Sequence, residues 1–158
     1  MHHVSVYTLR TWRPRLDADP LWIDWRARLH PSVGAKIRIL VAGNIDKPKG
    51  AGRILSLRDR DVFGRLEFHI LGNSIEDLKG PRIICHGPYK REAFAARAAS
   101  IHAHFGAVLS IWPETYSHTL TEHWSIGLPV LAFDFGAVAE RRPAREWVAD
   151  VAVRQPHE

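Results

Sequence analysis

Two glutamates in one short stretch have the spacing best suited to chemistry. Glu114 and Glu122, with seven residues between them, lie in Trp112-Pro113-Glu114-Thr115-Tyr116-Ser117-His118-Thr119-Leu120-Thr121-Glu122, after a strand-like run and into a helix-like one. Where a helix begins, its first amides lack intrahelical partners and its dipole presents the positive end. The amides around Ser117, His118 and Thr119 would then form an anion site suited to a diphosphate. A carboxylate on each side can accept hydrogen bonds from sugar and ribose hydroxyls. A Glu-x7-Glu spacing is common by itself. The bland alternative makes Glu114 a solvated loop acid and Glu122 a helix-surface charge.

The elements that must position these residues alternate along the chain. Ile39-Leu40-Val41-Ala42-Gly43 predicts a strand, followed by a helix from Gly50 to about Arg60 with Ile54, Leu55 and Leu57 facing inward. Leu66–Gly72 and Arg82–Gly87 predict the next two strands. Lys90–Phe105 reads as a helix, with Phe94, Ala98, Ile101 and Phe105 as its apolar stripe and Gly106 as its stop. Ala107–Trp112 predicts a fourth strand and Ser117–Ile126 a helix closed by Gly127 with Pro129 beyond. Pro129–Phe133 predicts a fifth strand, Ala137–Arg145 a short helix and Trp147–Val153 a sixth, edge strand. This βαβ rhythm implies an α/β, Rossmann-like parallel sheet of five or six strands with helices on both faces. Ligands of such sheets bind beyond the carboxyl ends of the strands.

The first 35 residues read as a connecting segment, separate from a domain over residues 36–158. It holds one helix, Pro20–His30, capped at Asp19, with Leu21, Trp22, Trp25 and Leu29 on its apolar face. Val4–Tyr7 reads as an edge strand or the remnant of a connection.

Composition narrows the function classes. The 158 residues suffice for one ordinary domain. No run approaches the roughly 18 apolar residues of a membrane span, and no basic-then-apolar leader opens the chain, which predicts a cytoplasmic protein. The lone Cys85, in the apolar run Ile83-Ile84-Cys85, predicts a buried, inert thiol. A net charge of +5 suits an anionic partner, whether a diphosphate, an acidic membrane surface or nucleic acid. The basic residues are spread without a block or stripe, which argues against nucleic acid. His102-Ala103-His104 and His118-x4-His123 lack metal-ligand spacing and acidic or Cys partners, so no metal is expected. Gly-x-Gly-x-x-Gly and Gly-x-Ser-x-Gly are both absent, against a dinucleotide oxidoreductase and a serine hydrolase.

Taken as an ordered set, Pro113-Glu114-Thr115…Thr119-Leu120-Thr121-Glu122…Gly127-Leu128-Pro129-Val130…Asp134…Gly136…Glu140-Arg141 resembles the carboxyl-terminal, nucleotide-sugar-binding domain of GT-B family 4 glycosyltransferases. It is most similar to the bacterial members that build O-antigens and related surface polysaccharides. The resemblance extends back through His86-Gly87-Pro88-Tyr89, Ile70-Leu71-Gly72-Asn73 and Ala42-Gly43-Asn44…Lys49-Gly50, covering roughly residues 36 to 147.

It implies one half of a retaining glycosyltransferase, moving a sugar from a nucleotide diphosphate sugar to a saccharide or lipid-linked acceptor, with no other cofactor. Glu114 would contact the transferred sugar on the reacting face, and Glu122 the ribose hydroxyls. Tyr116, Ser117, His118 and Thr119 would form the diphosphate turn. Lys49 would stabilise the departing phosphate, where negative charge develops as the anomeric bond breaks. Gly43-Asn44 would sit at the phosphates. Gly72 and Gly87-Pro88-Tyr89 would lie by the nucleobase, where Tyr89 is either a stacking ring or an interior tyrosine under a loop.

One position departs from the pattern. Relatives carry Gly-Arg where this chain has Gly43-Asn44, so one phosphate cation is missing unless Lys47 substitutes. The implied partner is an acceptor-binding GT-B domain, for which this chain has no room, and the expected location is cytoplasmic, with peripheral contact at the anionic inner membrane face left open. The alternative from another class is a non-catalytic nucleotide-sugar-binding or scaffolding domain.

Overall fold

The structure, a computed structural model, describes residues 7–12, 34–75, 78–112, 115–133, 138 and 146–153. The predicted helices Pro20–His30 and Ala137–Arg145 fall largely or wholly outside these residues, as do Glu114, Asp134, Gly136, Glu140 and Arg141.

In chain order the elements are β1 (Tyr7–Trp12), β2 (Ile37–Ala42), α1 (Ala51–Arg60), β3 (Leu66–Leu71), β4 (Ile83–Cys85), a 3₁₀ turn (Arg91–Ala93), α2 (Phe94–Ile101), β5 (Phe105–Val108), α3 (His118–Ser125), β6 (Val130–Phe133) and β7 (Glu146–Val153). They form one sheet in the order β4-β3-β2-β5-β6-β1-β7. Strands β2 to β6 are mutually parallel, as the βαβ rhythm predicts. The sheet is wider than expected by two antiparallel strands. β7 forms the predicted edge, and β1 lies between it and β6, antiparallel to both. Tyr7–Trp12 is therefore an inner strand of the same sheet, although the sequence places it in a separate connecting segment.

Alternation along β2 sets the two layers. Ile39 and Val41 join Ala51 and Ile54 of α1, Phe68 and Ile70 of β3, and Leu109 in one buried cluster. Leu40 and Ala42 join Phe94, Ala98 and Ile101 of α2 in another. Successive strand residues point to opposite faces, so α1 and α2 pack on opposite sides of β2. Val108, Leu120, Val130 and Ala132 extend the core beneath α3. Each fully buried Leu, Ile or Phe contributes roughly 1.5–3 kcal/mol of transfer free energy.

Several boundaries differ from the sequence reading, among them that of the fourth strand, predicted over Ala107–Trp112 and observed over Phe105–Val108. The helix predicted over Lys90–Phe105 ends at Ile101, because His102 turns left-handed (φ 53°). Phe105 then enters β5 and pairs with Ile39, and Gly106 pairs with both Leu40 and Val130. Gly106 is therefore no helix stop. A Cβ there would stand 2.3 Å from Cδ2 of His123, so the glycine makes room for that ring. Cys85, expected to be buried, is exposed, because β4 is the sheet's other edge and has a neighbour on one side alone.

Candidate functional site

The parallel strands reverse their order between β2 and β5: β3 and β4 extend to one side, β5 and β6 to the other. A crevice beyond the carboxyl ends of the strands at such a switch is where open α/β sheets bind ligands. The loops that carry most of the candidate residues meet there.

The register of β2 on β3 runs from Ile37↔Leu66 to Ala42↔Leu71, so Gly43 and Gly72 emerge side by side. The amide of Gly43 donates to the Leu71 carbonyl at 2.9 Å, and that of Gly72 to the Gly87 carbonyl at 2.9 Å. Gly72 has φ 136°, and a Cβ on it would lie 2.1 Å from the Gly43 carbonyl oxygen. Only glycine allows this approach. Beyond it, Asn73 Nδ2 donates to Asn44 Oδ1 at 3.0 Å, tying the β2 and β3 loops.

The Lys49 turn is fastened to the other side of the crevice. Its amide donates to Asp46 Oδ1 at 2.9 Å, and Gly50, left-handed at φ 91°, caps α1. A Cβ on Gly50 would stand 2.2 Å from the Leu109 carbonyl oxygen. The Ile111 amide donates to the Pro48 carbonyl at 2.9 Å. The turn bearing Lys47 and Lys49, both exposed, is thus joined to the segment that leads from β5 toward Glu114. Glu114 itself lies outside the described residues.

Helix α3 starts as the sequence predicts. Ser117, fully buried, is its N-cap and accepts from the Leu120 amide at 3.4 Å. Such a cap contributes about 0.5–2 kcal/mol. The Thr121 amide reaches the Ser117 carbonyl at 3.4 Å, whereas those of His118 and Thr119 have no partner among the described residues. The first turn lies against Gly43: a Cβ there would be 3.1 Å from Thr119 Cγ2. Tyr116 and His118 are exposed, with ring centroids 4.7 Å apart.

One turn further, Glu122 is half-buried and accepts a 2.6 Å hydrogen bond from the Tyr89 hydroxyl. It is therefore more than a solvated helix charge. Tyr89 packs beside Phe94 of α2 at 5.5 Å, in the interior position that was one of its two readings. Burial, and then the hydrogen bond and charge of Glu122, hold its phenol well above the usual tyrosine value, so it remains the donor.

His123, which the sequence raised only to set it aside as a metal ligand, carries the helix inward. It is fully buried, with Nδ1 2.5 Å from the Thr119 carbonyl and Nε2 3.2 Å from that of Leu40. Burial lowers its pKa, against the opposing pull of these carbonyls and of Glu122. A neutral ring donates once, and the shorter contact marks Nδ1 as the donor. The signal available was its spacing from Leu120 on one helix face. Arg97 was missed as well; it donates to the carbonyls of His86 and Pro88 and so holds the loop bearing Gly87 and Tyr89.

Gly43, Asn44, Thr119, Glu122 and Tyr89 are thus brought together around one sheet end, with Gly87 beside Gly72 and Lys49 on the adjoining turn. Among the described residues, no group of three or more His, Cys, Asp or Glu side chains could hold a metal ion, and no helix is long and apolar enough to cross a membrane. No model of a known protein family matches the chain, and no curated protein matches it.

Proposed function

We propose that the chain is the donor-binding half of a retaining glycosyltransferase, taking a nucleotide diphosphate sugar. The observation that carries this reading is that one short helix at the topological switch brings its N-terminus and, one turn on, a carboxylate to the same sheet end. The amides of His118 and Thr119 have no partner among the described residues, the Thr119 methyl lies against Gly43, and one turn on Glu122 is held by Tyr89. Amides and the helix dipole suit a diphosphate. A carboxylate spending one oxygen on a tyrosine still has acceptor sites for two vicinal ribose hydroxyls. The Lys49 turn, stitched to the strand leading to Glu114, would supply the cation for the leaving phosphate. The sugar acceptor would come from a second domain, and a basic chain in contact with anionic lipid at the inner membrane face fits a lipid-linked one.

A second reading, nucleotide-sugar binding without transfer, is favoured by Asn44. Its side chain bonds Asn73 where relatives of the resembled family carry an arginine, so it serves loop structure and adds no charge.

Calorimetric titration with uridine, guanosine and thymidine diphosphates tests both. Saturable binding of one of them is expected, and no binding of any would overturn both. Transfer from the matching sugar nucleotide once an acceptor domain is supplied, lost in Lys49→Ala or Glu114→Ala, separates the first from the second.

A further inference from the structure

On the α2 side of the sheet, three titratable side chains join in line. Glu67 and His69 stand two apart on β3 and so share a face. Glu67 Oε1 is 2.8 Å from His69 Nε2, and His69 Nδ1 is 2.9 Å from Nε2 of His86, the residue following β4. The two imidazole planes differ by 15°, with centroids 5.2 Å apart. That separation is the nitrogen–nitrogen distance plus about one ring radius at each end. The rings therefore meet end to end, nearly coplanar, with the N–H aimed along the facing lone pair.

With Glu67 as the acceptor and one proton on His69, the bonds permit a single arrangement: His69 Nε2 donates to Glu67, His69 Nδ1 accepts, and His86 Nε2 donates. His86 then keeps its lone pair at Nδ1, which has no hydrogen-bond partner among the described residues. Arg97 clamps the His86 and Pro88 carbonyls from α2. Burial, then His69 and the Arg97 charge, lower the His86 pKa from 6.5, so the ring is neutral at neutral pH.

We propose that His86 is a proton-accepting site, presenting Nδ1 at the carboxyl end of β4 to an O–H or N–H group of a ligand, with Glu67 and His69 as positioning residues. If the ligand group ionises, its proton forms the Nδ1–H bond of His86 and the bonding pair stays on the ligand atom. The imidazolium then donates through Nε2 to His69, whose own Nε2–H faces Glu67, so a fixed negative charge stabilises the new positive one. An anion with no proton to give meets the lone pair and is disfavoured. This site thus differs in kind from the amide-lined turn of α3, and it stands whether or not the chain serves sugar transfer.

Long-range proton–nitrogen NMR of the imidazoles at neutral pH tests it on the unmodified chain. The expected result is the Nε2–H tautomer at His86; the Nδ1–H tautomer, or a mixture of the two, would overturn the proposal. In Glu67→Gln the amide can donate or accept, so the His86 tautomer should become mixed; an unchanged tautomer would remove Glu67 from the relay. Diethyl pyrocarbonate, which reacts at a free imidazole lone pair, gives an independent readout. Its rate at His86 should fall in Glu67→Gln in proportion to the loss of the Nε2–H tautomer while that at His118 stays the same, and equal rates at His86 in the two proteins would sink the positioning role.

Discussion

The two faces of the sheet are built differently. The α1 side of β2 and β3 presents Ile39, Val41, Phe68 and Ile70 to Ala51 and Ile54, an apolar layer throughout. On the other side His69 alternates with Phe68 and Ile70, His123 lies under α3, and Tyr89 reaches Glu122 beside Phe94. Buried polar groups cost free energy unless bonded, and each of these is bonded: His69 to Glu67 and His86, His123 through Nδ1 to the Thr119 carbonyl. Both faces are cored by apolar residues, but only the α2 and α3 face threads bonded polar groups among them, leading toward the loops at the carboxyl ends of the strands.

The largest effect that tests this division is on the apolar side. Phe68→Ala removes a fully buried ring and should lower unfolding free energy by about 3–5 kcal/mol, read by denaturant titration. Nucleotide affinity of the molecules that remain folded should stay the same. A parallel loss of affinity would mean that the two faces are not separable.

Gly106→Ala probes the other layer. The obstacle is the His123 ring, wedged between the Thr119 and Leu40 carbonyls, so it cannot swing aside without losing a bond. Overpacking of this kind costs about 1–3 kcal/mol. The His123 ring resonances should shift, and the first turn of α3, tied to His123 through Thr119, should shift with them. A neutral substitution would show that the ring has more room than its contacts imply.

These two residues also mark what the sequence makes legible. Short-range patterns were readable: the αβ alternation and the limits of α1 and α3 within a residue or two each rest on neighbours in the chain. Gly106 and His123 are 17 positions apart, and they meet because α3 packs back on β5 while His123 reaches Leu40 of the neighbouring β2. The same holds for Glu122 with Tyr89, for Asn44 with Asn73, and for His69 with His86. The early end of α2 was hidden because His102, not a glycine, takes the left-handed turn, a conformation histidine adopts more readily than most side chains. Cys85 misled because an apolar run reads as buried, although an edge strand buries less than an inner one.

A smaller effect bears on the carboxyl-end loops. Glu122→Ala should weaken nucleoside diphosphate binding about tenfold, since a charge-assisted bond contributes roughly 1.5–3 kcal/mol before losses to water. Tyr89→Phe should weaken it less, because the phenol positions the carboxylate without touching the ribose in this reading. The 2′-deoxynucleotide should bind the wild type more weakly than the ribonucleotide. Equal binding of the two by calorimetry would show that Glu122 does not read the ribose.

The smallest effect is also the one that separates the faces without any ligand. The folded pKa values of His123 and His86 are both lowered, in each case first by burial. The unfolded chain therefore binds more protons at these two residues, and stability rises with pH through the interval between the folded values and 6.5. Their contribution is fully present above pH 6.5 and is lost as the pH falls through the folded values. Thermal unfolding over a pH series should show a decline that begins just below 6.5. In His123→Gln, which cannot titrate at that position, the starting stability should be lower but the acid-side decline shallower. None of the strand residues packed under α1 is a histidine, so Ile54→Val should lower the whole curve without changing its slope. If His123→Gln leaves the slope as steep as before, the acid response comes from elsewhere and the buried imidazole is a packing group alone.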